Sequence, residues 1–227
     1  MRLTLFIDAD DTLWDNSVYF EHAIADFVTF LDHPTLSADR VRERIDAIEF
    51  ENIKTRGYGT ENFTRNLKQC FAEFRERDCT PGEDEHISGI TKRVWNHPVE
   101  PLDGVEETLV YLRERHYLRL VTKGYHAEQS EKIERSGLRH LFDDCSIVRE
   151  KDVACYHAVI EQSKAEPSRT WMIGNSPKSD INPALAAGIG AVWIPHSQTW
   201  SLEHEDVPEP HDRFHVREHF RDLRQLF

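Results

Sequence analysis

Asp8 and Asp10 stand two residues apart where the apolar run Leu3-Thr4-Leu5-Phe6-Ile7 gives way to Asp8-Ala9-Asp10-Asp11. In extended backbone residues i and i+2 leave on the same side, so the two carboxylates point one way and Ala9 the other. Such a pair suits metal binding or acid and base work. One carboxylate acts as nucleophile while the other gives a proton to a leaving oxygen and later takes one from water. A carboxylate that attacks a phosphate dianion meets repulsion, so this use needs a hard cation and a lysine close by. Thr122 closes a later apolar run and is followed by Lys123-Gly124, a turn with donors for phosphate oxygens. Lys151 precedes a helix, where its ammonium can reach a phosphate. Asn175 and Asp180, five residues apart in Gly174-Asn175-Ser176-Pro177-Lys178-Ser179-Asp180, can complete an oxygen cage for magnesium with Asp8 and Asp10.

Taken singly, each of these residues has a plain alternative. The Asp8/Asp10 pair can be a strand-end turn, Thr122 an ordinary end of a strand, Lys151 a solvated lysine at a helix start and Asp180 the N-cap of a helix over 181–187.

The elements that position these residues follow from periodicity. Residues 3–7 read as a buried strand, too short for a helix. From 17 to 96 the apolar spacing is helical, with Phe20, Ile24, Phe27, Val28 and Leu31 in one stretch and Val41, Ile45, Ile48 and Phe50 in the next. Further helices are expected over 61–77 and 84–95, and no strand is. After Pro101 helices alternate with short apolar strands: strands over 117–121, 146–148, 170–173 and 191–194, helices over 105–115, 128–136, 152–163 and 181–187. A polar tail follows, then a short strand and a closing amphipathic helix over 214–227. The fold class is therefore α/β, a core of residues 1–16 and 97–227 with a helical insertion over 17–96. Ligands of open α/β sheets bind at the carboxyl edge, which the insertion is placed to close.

Composition narrows the function classes. The chain has 227 residues, 39% hydrophobic and 30% charged, and its formal net charge of −13 disfavours nucleic acid and anionic membrane as partners. Cys70, Cys79, Cys145 and Cys155 lack metal or disulfide spacing, and the N-terminus lacks the pattern of an export signal. A cytoplasmic protein with reduced thiols is expected.

The ordered set Asp8-Ala9-Asp10-Asp11-Thr12, Thr122, Lys151 and Gly174 to Asp180, each after an expected core strand, resembles the haloacid dehalogenase (HAD) superfamily, in its phosphatase branch. The resemblance implies a Rossmann-like core of strand order 5-4-1-2-3 with a cap inserted after the first motif. It implies Asp8 as nucleophile, Asp10 as acid and base, Thr122 and Lys151 as phosphate anchors, and Mg2+ held by Asp8, the Asp10 carbonyl and Asp180, with Asn175 beside it. The substrate expected is a small phosphorylated metabolite such as a nucleotide, sugar phosphate or flavin-type phosphate, handled by a monomer or homodimer. Phosphomutase chemistry, a 2-haloacid dehalogenase and a non-catalytic phosphate-binding regulator are the alternatives, and Asp10 argues against the dehalogenase. Two departures stand out: Asp11 replaces a frequent glycine, and Asn175 stands where many members carry an acid.

Around the site, Trp14, Asp15 and Asn16 are placed to line an entrance, with packing of the linker as the other reading for Trp14. Tyr58, between Gly57 and Gly59, is either a substrate-selecting loop residue or part of a hinge between helices. His196 and Trp200 are candidate border residues, His126 and His157 read as surface or packing residues, and the acidic runs 83–85 and 203–206 read as solvated surface.

Overall fold

The structure, a computed structural model, describes residues 2–227. It divides into two compact units, one joining the segment that ends at Asp15 to Val99–Phe227, the other comprising Asn16–Pro98.

The first unit is built on six parallel strands: β1 (Thr4–Ile7), β2 (Tyr117–Lys123), β3 (Asp144–Val148), β4 (Thr170–Gly174), β5 (Gly190–Trp193) and β6 (Phe214–Val216). Their order is β3-β2-β1-β4-β5-β6. Read from the other edge, β5-β4-β1-β2-β3 is the expected order, and β6 extends the sheet beyond β5. Helices α5 (Val105–Arg113), α6 (His126–Arg135), α7 (Val153–Gln162) and α8 (Asn182–Ala186) make the crossovers that parallel strands require.

Alternation along β1 shows why this segment is central. Leu5 and Ile7 enter one apolar cluster with Leu118, Leu120 and Ile173 and with Val105, Leu109 and Leu112 of α5. Phe6 enters another with Val121 and Met172 and with Tyr156, Val159 and Ile160 of α7. Both faces are covered, so the strand reads as an unbroken apolar run. At the start of β5 a side chain on Gly190 would lie 2.4 Å from the Trp171 ring, so only glycine lets Trp171 pack there.

The expected helix over 181–187 is α8, with an unforeseen turn ahead of it, and the closing helix takes another form. Residues 177–181 make a π-helical turn before α8, because Asp180 N–H and Ile181 N–H both reach back to the Ser176 carbonyl. The closing segment is a 3-10 helix, Phe220–Gln225; its apolar residues Phe220, Leu223 and Leu226 recur every third position, which suits three residues per turn.

The second unit packs α1 (Ser17–Leu31), α2 (Ala38–Arg56), α3 (Thr60–Arg75) and α4 (Pro81–Trp95) around its own core of Phe27, Leu31, Ile45, Ile48, Phe63, Leu67, Phe71 and Ile87. It contains no strand among the described residues. Glu83 is not simply solvated: with Thr80 it forms a reciprocal capping box ahead of Pro81, and it pairs with Arg77. The Gly57-Tyr58-Gly59 loop is tied down, since the Asn62 side-chain amide donates to the carbonyls of Arg56, Gly57 and Tyr58. No helix among the described residues is long and apolar enough to cross a membrane.

Burial, with Asp46 nearby, pushes the Glu49 carboxyl of α2 up to about 8. A raised carboxyl favours the folded state while it is protonated, and that contribution is lost as pH climbs from about 4.5 through about 8. Glu49→Gln has no such loss. Urea denaturation should show the variant gaining on the wild type between about pH 5 and about pH 9; a constant difference would contradict the assignment.

Candidate active site

Asp8 lies one residue beyond β1, and its backbone N–H still bonds the Ile173 carbonyl of β4. The chain then turns, with Thr12 and Leu13 N–H returning to the Ala9 carbonyl. The two carboxylates, expected to leave on one side, take different partners.

Asp8 bonds the Lys151 ammonium through Oδ1, and its Oδ2 accepts from the Thr12 hydroxyl at 3.1 Å. Lys151 also donates to Asp180 Oδ1 at 2.7 Å. Asp8, Lys151 and Asp180 are all buried, Asp180 completely. Burial pushes the Asp8 carboxyl up to about 7, with Lys151 opposing and Asp180 adding to the rise. Burial works against the charge on Lys151 too, but Asp180 and Asp8 outweigh it and hold the ammonium above the ordinary lysine range. A side chain on Gly174 would lie 2.2 Å from Asp180 Oδ2, so the glycine makes room for this carboxylate. Asp180 is not a helix N-cap. Ser176 fills that place by accepting from Ser179 N–H, and Asp180 Oδ2 accepts from Ser176 N–H at 3.0 Å.

Asp10 is held by three donors. Lys132 of α6 reaches both oxygens, at 2.7 and 2.6 Å; Gln129 donates to Oδ2 at 2.9 Å and the Trp14 indole N–H to Oδ1 at 2.8 Å. Burial opposes ionisation of Asp10, but Lys132 with Gln129 and Trp14 outweighs it and keeps the carboxyl below its usual range. Trp14 therefore does not line an entrance: it is fully buried and its one polar atom serves Asp10. Gln129 and Lys132 escaped the sequence reading, although their i, i+3 spacing puts them on one helix face. Thr122, buried at the end of β2, is 3.5 Å from the Gln129 side-chain oxygen.

Lys123, expected to meet phosphate, has internal partners instead: Glu203 and the Ser179 hydroxyl, each at 2.6 Å, and Glu150 at 3.4 Å. Glu203 is correspondingly a buried anchor rather than solvated surface. It accepts from the hydroxyls of Ser176 and Ser179, and these donors with Lys123 overcome burial and keep its carboxyl below the usual range. The Ser201–Glu203 turn is thereby fastened to the loop that carries Asp180.

Asp11 has φ of 59°, a left-handed conformation that glycine adopts freely and aspartate tolerates better than most residues. Asp11, Asp15 and His196 each offer a ligand atom within 4.8 Å of the others, and His196 Nε2 lies 3.0 Å from Asp15. Trp200 opens the turn of Glu203 through its carbonyl. A cleft of about 260 Å³ beside Asn175 is lined by Trp193, His196, Thr199, His204 and Glu205. Tyr58 belongs to the helical unit, and His126 and His157 are exposed.

The donor set fits a hard divalent cation. Asp8 and Asp180 offer carboxylates, and the Asn175 amide oxygen shares the Thr12 hydroxyl with Asp8, at 3.3 Å. Asp8 and Asp180 share Lys151, and Asp10 pairs with Lys132, so carboxylates outnumber ammoniums among these groups. Oxygen ligands of this kind in an anionic pocket are what magnesium takes.

A family profile described as "Hydrolase: haloacid dehalogenase-like hydrolase" matches residues 3–188. The pyrimidine 5'-nucleotidase YjjG of Escherichia coli is 30% identical over 115 residues, 48% of each protein, so the match spans about half the nucleotidase's length. A glyceraldehyde 3-phosphate phosphatase of Methanothermobacter thermautotrophicus is 24% identical over 219 residues, 91% of each. Among solved structures, a haloacid dehalogenase-like family hydrolase from Xanthomonas campestris superposes with a TM-score of 0.80 at 32% identity, covering 92% of this chain and 87% of the other. L-2-haloacid dehalogenase from Xanthobacter autotrophicus shares the fold at a TM-score of 0.65 and 13% identity, over 100% of this chain and 98% of the other.

Lys123→Met strands the buried Glu203 charge, and Glu203→Leu leaves Lys123 with the exposed Glu150 at 3.4 Å as its paired carboxylate. Glu203→Leu or Lys123→Met alone should each lower stability by about 3 kcal/mol, and the double variant by clearly less than their sum. Urea denaturation of the four proteins measures this, and additive losses would show that the pair does not anchor the loop.

Proposed function

The chain belongs to the haloacid dehalogenase-like hydrolases, and from that premise we propose that it is a magnesium-dependent phosphatase acting on a small phosphorylated metabolite through an aspartyl phosphate on Asp8. The observation that carries the reading is the buried Asp8 carboxylate at the end of the central strand, bonded to Lys151 and Thr12, with Asp10 held as a second carboxylate two residues on. Substrate classes named for two relatives, a nucleotide and a triose phosphate, support a small phosphate ester. The cleft beside Asn175, with its aromatic and polar lining, offers room for the organic part.

Asp8 attacks phosphorus in line as the bond to the leaving oxygen breaks, and Asp10 supplies the proton which that oxygen takes up. The dianionic substrate favours the protonated form of Asp10, since a like charge raises a carboxyl's affinity for a proton. Water then attacks phosphorus and passes a proton to Asp10, and the Asp8–phosphorus bond breaks to release inorganic phosphate. Lys151 and Thr122 orient the phosphoryl oxygens. Magnesium, when held by Asp8, Asp180, the Asn175 amide oxygen and the Asp10 carbonyl, supplies the positive charge that lets a carboxylate approach a phosphate.

Asp10 favours this reading over a dehalogenase, which has no leaving oxygen to protonate. Hydrolysis of an aryl phosphate by the wild type should require magnesium and fall by at least about 10³-fold in Asp8→Asn. Magnesium-independent turnover, or an active Asp8→Asn protein, would rule the mechanism out.

A further inference from the structure

We infer that Thr199, in the turn after β5, is a positioning residue that aims the Asn175 amide so that its oxygen, not its nitrogen, faces the cation site beside Asp8. The inference rests on the magnesium-dependent reading above and adds to it what makes an asparagine serviceable as a ligand there.

An amide presents an acceptor at one end and donors at the other, and half a turn about its last torsion exchanges them with almost no change of shape. An asparagine is therefore a cation ligand only when its neighbours choose which end faces the metal. A carboxylate needs no such choice.

Here the choice follows from where the protons lie. The Thr199 hydroxyl is 2.9 Å from the His196 carbonyl oxygen, and two oxygens that close need the hydroxyl proton between them. With its one proton engaged, the hydroxyl can only accept from Asn175, 3.1 Å away, so the group that faces it is the amide nitrogen. The oxygen is thereby turned to the Thr12 hydroxyl at 3.3 Å. That same hydroxyl is 3.1 Å from Asp8 Oδ2, which sets the amide oxygen beside the Asp8 carboxylate. Thr12 has a single proton for the two acceptors, and a carbonyl oxygen has two lone pairs, so the Asn175 oxygen keeps capacity for a cation.

The turn is built to hold this hydroxyl in place. Thr199 N–H returns to the His196 carbonyl at 3.1 Å, and Gln198 N–H meets the His196 ring Nδ1 at 3.3 Å, which closes residues 196–199 on themselves. Trp193 of β5 holds the backbone of the same asparagine, its indole N–H donating to the Asn175 carbonyl at 2.9 Å. Asn175 is 6% exposed, so water is a poor substitute for the Thr199 hydroxyl. Replacing Thr199 by valine keeps the shape and removes the acceptor, and the amide loses its reason to present oxygen.

Titration calorimetry of magnesium chloride into the full chain, without substrate, reads the effect directly. Thr199→Val should weaken magnesium binding on the order of 10-fold, as loss of a partner that orients a ligand does, and Thr199→Ser should recover most of it. In an Asn175→Ala background Thr199→Val should have no further effect, because the amide it aims is gone. Unchanged affinity in Thr199→Val, or the same loss with and without the Asn175 side chain, would overturn the inference. Thermal melting without magnesium identifies a variant that has unfolded, in which case Thr199→Ala takes the place of Thr199→Val. Failure of the parent reading looks different and removes the inference with it: the wild type would bind no magnesium, or Asp180→Asn would bind it as tightly as the wild type. With Asp180→Asn weakened and Thr199→Val not, the cation site stands and Thr199 does not set it.

Discussion

The site depends on one buried ammonium. Lys151 bonds both Asp8 and Asp180, two carboxylates delivered by the neighbouring strands β1 and β4, and without it they would repel in a place that water does not reach. Removing one partner of such a buried group typically costs about 3–5 kcal/mol because the remaining charge is stranded. The fold is arranged to supply this contact. Parallel pairing brings the ends of β1 and β4 side by side, Gly174 leaves space for Asp180, and the π-helical turn sets Asp180 where its second oxygen takes the Ser176 N–H.

Around that ammonium the charges are segregated. Asp8 shares Lys151 with Asp180 and has its carboxyl raised by burial, while Asp10 pairs with Lys132 and has its carboxyl lowered. By themselves these displacements run against the proposed roles, since a nucleophile works ionised and an acid protonated; a cation beside Asp8 would lower its carboxyl and a phosphate dianion would raise that of Asp10. A third pair, Lys123 with Glu203, touches neither but holds the loop that carries Asp180. Carboxylates outnumber the ammoniums they pair with, and Asp8 and Asp180, which share Lys151, stand where a divalent cation fits.

Much of this was legible in the sequence, because period and order survive folding. The apolar run before Asp8, the alternation of helices and strands after Pro101 and the absence of strands from 17 to 96 all follow from local patterns that tertiary contacts reinforce. What local geometry did not give is the partner set: Asp8 and Asp10 stand two residues apart and bond different ammoniums. What pattern alone does not reveal is pairing across the chain. Glu203 lies in a polar stretch whose composition says surface, and its burial comes from Lys123, 80 residues earlier. Gln129 and Lys132 are ordinary residues of a polar helix until the Asp10 turn is set against them. The Thr80-Pro81-Gly82-Glu83 segment, by contrast, carries a capping signature that was read only as solvated surface.

The account's central claim is that the Asp8 carboxylate itself becomes phosphorylated. Mixing the full chain with magnesium and a phosphate ester, quenching rapidly and reducing with borohydride converts an acyl phosphate to an alcohol, which peptide mass mapping then locates. The account predicts a homoserine at position 8, absent when substrate is left out. Reduction at Asp10, or turnover with no reducible residue at position 8 at any quench time, would contradict it.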